Sequence, residues 1–96
     1  MNIKTIKDVK VGSDEYTADI VIDKIEKEGK PEAKAPLVFI CRIEGSGDIL
    51  KVSTWEYDLK DQLEDAIIKR GICALTFIAA TYKDNVSIKL RNIVFF

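Results

Sequence analysis

PLVFICRIEGSGDILKVSTW, residues 36–55, decides how the rest of the chain is read. Its first arm is a strongly apolar run rich in branched and aromatic residues, its second arm alternates, and GSG at 45–47 turns between them, so the stretch is a β-hairpin. In the second arm Leu50, Val52 and Thr54 share one face, while Lys51, Ser53 and Trp55 share the other. Lysine prefers water, which turns the second set outward and carries the chain's one tryptophan with it. The same logic points Arg42 outward on the neighbouring arm, with Val38 and Ile40. A tryptophan at a strand end either closes a core under a helix or loop, or offers a flat surface to a ligand.

Upstream, YTADIVIDKI at 16–25 places Ala18, Ile20 and Ile22 on one face and Thr17, Asp19 and Asp23 on the other, the period of a half-buried strand. EKEGKPEAKAP at 26–36 mixes both charges with glycine and proline and reads as a solvated loop. Downstream the period changes. Leu59, Leu63, Ala66 and Ile67 recur at helical spacing over 58–71, with Asp58 as the expected cap and Lys69, Arg70 and Gly71 at the end. ICALTFIAATY at 72–82 and VSIKLRNIVFF at 86–96 then form a second hairpin about the turn 83–85. Its last strand is expected to turn Val86, Ile88 and Leu90 inward and Ser87, Lys89 and Arg91 outward.

The order is strand, loop, strand, strand, helix, strand, strand. It predicts an all-β fold with one helix: a five-stranded Greek-key OB-fold barrel, the helix lying between strands three and four. A helix of this size has no natural place before the last hairpin of an SH3-like barrel. One domain over 1–96 is expected, because neither repeats nor a composition break divides the chain. In an OB-fold the outer face of strands two and three, flanked by the loops after strands one and four, is the usual surface for oligonucleotides and oligosaccharides.

Composition narrows the function. The 96 residues are 47% hydrophobic and 32% charged, with 15 Lys and Arg against 16 Asp and Glu. A net charge of −1 makes no global cationic field, so any phosphate site must be local. Histidine is absent, which removes the commonest general base and metal ligand, and leaves Ser46, Ser53 and Thr54 without an activating partner. No enzymatic activity, metal, cofactor or small-molecule substrate is expected. The carboxylates Asp58, Asp61, Glu64 and Asp65 sit among Lys60 and Lys69 at i, i+3 and i, i+4 spacings, a solvated helix face. Cys41 and Cys73 each lie within an apolar run and read as free core thiols, which suits a reducing, cytoplasmic location. No apolar run approaches the roughly 18 residues that would span a bilayer, so no membrane association is expected.

The residues also resemble a family, the single-stranded-DNA-binding OB-fold domains of replication protein A, above all those of archaea. TIKDVKVGS at 5–13 looks like that family's approach to strand one. EGSGDILKVSTWE at 44–56 is similar to its hairpin, with a small-Gly turn and an alternating strand ending in Trp and an acidic residue. The resemblance implies that Trp55 stacks on one base and Tyr82, at the turn between strands four and five, on another. It further implies roles in DNA replication, recombination or repair beside further OB domains or subunits of a replication protein complex.

Stacking on a π-face tolerates any base, so little sequence preference is expected. Lys51, Ser53 and Arg42 on the first hairpin, Lys89 and Arg91 on the last strand, and Lys83 beside Tyr82 are the expected backbone contacts. In the loop after strand one, Lys24, Lys27, Lys30 and Lys34 are largely cancelled by Glu26, Glu28 and Glu32. Stacking barely senses the sugar, so RNA is an alternative ligand. The competing class is an OB-fold protein-interaction subunit that uses the same face or the C-terminal IVFF.

Overall fold

The computed structural model describes residues 2–82 and 85–96, with the side chains of all of these except Tyr82 and Asn85. The strands are β1 (Tyr16–Lys27), β2 (Leu37–Ile43), β3 (Ile49–Thr54), β4 (Ile72–Tyr82) and β5 (Asn85–Phe95). One helix, α1 (Lys60–Lys69), lies between β3 and β4. The strands close into a barrel in the order β1-β2-β3-β5-β4. Every pair is antiparallel except β3 with β5, which closes the barrel in parallel through Val52↔Ile88 and Ser53↔Lys89. This is the OB-like, all-β architecture that the element order predicts.

Inward-facing residues of all the strands fill the interior, and Phe39, Phe77, Ile20, Ile22, Leu75 and Val52 are completely sealed from water. The face of α1 carrying Leu63 and Ala66 is buried in the same cluster. Cys41 and Cys73 are free, buried thiols, and burial pushes the Cys41 thiol up to about 12, away from the reactive thiolate. Among the described residues, no helix is long and apolar enough to cross a membrane.

The structure differs from the sequence expectation in several places, each with a physical reason. β1 runs on to Lys27, with register slips against β2 that leave Asp23 and Glu26 as unmatched residues. These β-bulges bend the strand so that one half can pair with β4 and the other with β2. A short 3-10 turn at Tyr57–Leu59 precedes α1, so Asp58 is carried out of the capping position and caps nothing. The helix ends with Arg70 in the left-handed region at φ 52, one residue before the glycine that marks the end in the sequence. A non-glycine residue there costs roughly 1 kcal/mol. In β5, Val86 is exposed rather than inward, while Ile88 is buried as expected. Thr76 pairs with Asn92 but Phe77 pairs with Leu90, so Arg91 is an extra residue that resets the alternation and returns Ile93 and Phe95 to the core side.

The N-terminal segment is tied to the hairpin turn between β2 and β3. Asp48 accepts hydrogen bonds from the Ile6 backbone N–H at 2.9 Å and the Thr5 hydroxyl at 2.8 Å. These bonds, the Ile6 one foremost, hold its carboxyl below the usual carboxylate value. A folded-state value lower than the unfolded one means that folding favours the ionised form. The stabilisation is therefore present above the unfolded value of about 4 and is lost as pH falls through the folded value. Asp48→Asn is expected to melt lower than the parent at pH 7 and to lose less on acidification to pH 3, as thermal melts at the two pH values would read.

Candidate nucleic-acid interface

Trp55 follows the last residue of β3, and 61% of its surface is open to solvent. The sheet places it at the rim of a groove of ≈ 580 Å³ lined by Pro36, Ser53, Thr54, Trp55, Ile78, Ser87, Lys89, Leu90 and Arg91. The parallel β3–β5 register explains this company. Ser53 lies level with Lys89, so Trp55 and Arg91 each lie two residues further along neighbouring strands. The Ser53 hydroxyl donates to the Ile88 carbonyl at 3.4 Å across that junction. On the other side of β5, Ile78 and Lys89 are partners, as are Ala80 and Ser87, so the outer face of β4 supplies the floor.

Arg91 enters this groove from the outward position that follows Lys89, and the β5 bulge turns Asn92 outward beside it. An extra residue re-aims a strand's side chains, and here both Arg91 and Asn92 are exposed where strict alternation would bury one of them. No carboxylate is among the nine lining residues, so the groove is locally cationic although the whole chain is not. Lys89 has no ion-pair partner among the described residues, and Arg91 has a loose one in Glu15 at 3.9 Å.

The wall opposite β5 belongs to the segment between β1 and β2, which reaches the groove at Pro36. This segment is fastened beside Trp55. The Tyr57 hydroxyl donates to the Ala35 carbonyl at 2.7 Å, and Lys60 pairs with Glu28 at 2.9 Å. The Glu28 carboxylate also raises the Lys60 ammonium above its ordinary value. Gly29 makes room for the Tyr57 ring: a Cβ there would fall 2.5 Å from Cε1 of Tyr57, and its φ of +79 disfavours any side chain.

The other expected site residues stand elsewhere. Arg42 donates from Nε to both carboxylate oxygens of Asp23 at 3.0 Å, in a separate depression lined by Val21, Ile67 and Arg70. Lys51 lies outward on β3, as expected, with its ammonium 2.9 Å from Glu26. Val38 faces outward by register, opposite Ser53, yet is only 8% exposed. Tyr82 ends β4, but its side chain and the whole of Lys83 lie outside the described residues. The groove thus unites Trp55, Ser53, Lys89 and Arg91, and separates them from Arg42 and Lys51.

Sequence reasoning missed Ile78, Leu90 and Pro36 as lining residues. Leu90, expected to face inward, both packs against the core and edges the groove. Ile78 has no sequence signal, because β4 is apolar on both faces. Compared with known proteins, the chain matches no protein-family model and no curated protein, so its function is argued from the groove itself.

Proposed function

We propose that the groove beside Trp55 binds single-stranded DNA with little sequence preference, as a module of a replication protein A-like factor in replication, recombination or repair. The observation that carries this reading is an exposed indole at the rim of a groove whose lining includes two cations and no carboxylate, with Arg91 only loosely paired to Glu15 at 3.9 Å. Any unpaired base offers a π-face to the ring, and Lys89 and Arg91 can neutralise the phosphates on either side of it. Stacking contributes about 1–3 kcal/mol per base, so one such module would bind in the micromolar to millimolar range and gain strength from linked modules.

A labelled oligo-dT strand and its duplex with oligo-dA, titrated separately by fluorescence anisotropy, test the reading. Single strands are expected to bind at least about tenfold more tightly, because a duplex hides its π-faces in its own stack. Equal binding of both would reduce the groove to a non-specific phosphate patch. A matching oligo-U strand should bind comparably, since the ring contacts the base rather than the sugar.

A second reading, a protein-contact module, draws on a different region. Ile72 and Phe96 are exposed and line a small cleft beside the end of α1, and Ile68 and Val94 are exposed as well. An apolar surface of this kind suits a further OB domain or subunit, and it leaves the groove open.

A further inference from the structure

On the outer face of β2 and β3, each cation is already occupied by a carboxylate from β1. Asp23 receives two hydrogen bonds from Arg42, and Glu26 pairs with Lys51. Both acids are the unmatched residues of the two β1 bulges, Asp23 between Ile22 and Lys24 and Glu26 between Ile25 and Lys27. Bulges re-aim side chains, and these two deliver acids onto cations of the neighbouring strands. The Glu26 carboxyl is held below its ordinary value, chiefly by the Lys51 hydrogen bond. On the apolar part of this face Val38 is buried and Ile40 half-buried, and Ile49 beside Arg42 stays exposed. The groove over β5 differs: no acid is among its lining residues, Lys89 has no ion-pair partner among the described residues, and Arg91 meets Glu15 only loosely at 3.9 Å.

We infer that Asp23 and Glu26 mask the cations of the β2–β3 face, so that the nucleic-acid backbone is confined to a track over β3, β5 and β4 with Lys89 and Arg91 as its phosphate-binding pair. This rests on the proposed single-strand binding and specifies its route. An exposed ion pair is worth only about 0–1 kcal/mol, so the mask costs a competing phosphate a few-fold in affinity at most. It also cancels the counterion release that a bare lysine would give.

The salt dependence of oligo-dT binding reads the route directly. Each phosphate neutralised on a single strand adds roughly 0.7 to the slope of log affinity against log salt, so two contacts give about 1.4. Lys89→Ala is expected to lower the slope by about 0.7, whereas Lys51→Ala changes the affinity by less than about twofold. Glu26→Gln should steepen the slope by about 0.7, and Glu26→Gln combined with Lys51→Ala should cancel that gain. All three substitutions are at solvent-accessible side chains, and matching thermal melts of the four variants confirm the folded state. Equal losses from Lys51→Ala and Lys89→Ala, with no response to Glu26→Gln, would overturn the masking while single-strand binding stood. Absence of binding by the parent protein at low salt would overturn the binding reading itself, and the route with it.

Discussion

Trp55→Ala is expected to fold and melt like the parent protein while losing about 5- to 150-fold in affinity for oligo-dT. The range follows from about 1–3 kcal/mol per stacked base, at roughly 1.4 kcal/mol per tenfold. Folding is spared because the ring lies outside the buried cluster and is more than half exposed. Substitutions at such surface positions stay within about 0.5 kcal/mol. Trp55→Phe would keep a smaller π-face and fall between the two. Anisotropy titrations beside thermal melts separate the outcomes. A variant that unfolds would make the indole a structural element, and one that binds unchanged would move the site elsewhere.

Phe77→Ala should show the converse, a large loss of stability with the groove chemistry intact. Phe77 is sealed in the barrel, its ring 6.0 Å from that of Tyr16, on the strand that links β1 to β5. Truncating a buried phenylalanine costs about 3–5 kcal/mol, the lost transfer free energy plus an unfilled cavity. Against a total stability of roughly 5–15 kcal/mol for a domain this is a large fraction. At 4–8 °C per kcal/mol for a chain of this size, the melting temperature should fall by on the order of 20 °C. Phe77→Leu fills most of the space and should lose much less. Well below its melting point, Phe77→Ala should still bind oligo-dT with nearly parental affinity, because none of its atoms line the groove. Denaturant unfolding and the same anisotropy titration check the two halves of this expectation.

The parts of the fold legible in the sequence are those where one face of an element meets water. Leu50, Val52 and Thr54 alternate with Lys51 and Ser53, so β3 and the outward direction of Trp55 could be read directly, and the structure buries the first set. Leu63 and Ala66 recur at helical spacing and are the buried residues of α1. Alternation fails where both faces are apolar, and nothing in ICALTFIAATY distinguishes outward Ile78 from inward Phe77 and Ala79. It fails again wherever a bulge inserts a residue. Asp23, Glu26 and Arg91 each shift the register by one, a choice dictated by barrel closure and not by local composition. The candidate site is legible to the same degree. Trp55, Ser53, Lys89 and Arg91 follow from outward positions on adjoining strands, whereas the capture of Arg42 and Lys51 depends on contacts between residues distant in the chain.

The most direct test uses the chain's lone tryptophan as its own reporter. Oligo-dT added at low and at moderate salt should quench its emission saturably, with weaker binding at the higher salt, because a base lying on the indole alters its excited state and phosphate contacts hold it there. Emission that stays unchanged up to millimolar oligonucleotide, from protein whose circular dichroism shows it folded, would contradict the stacking site.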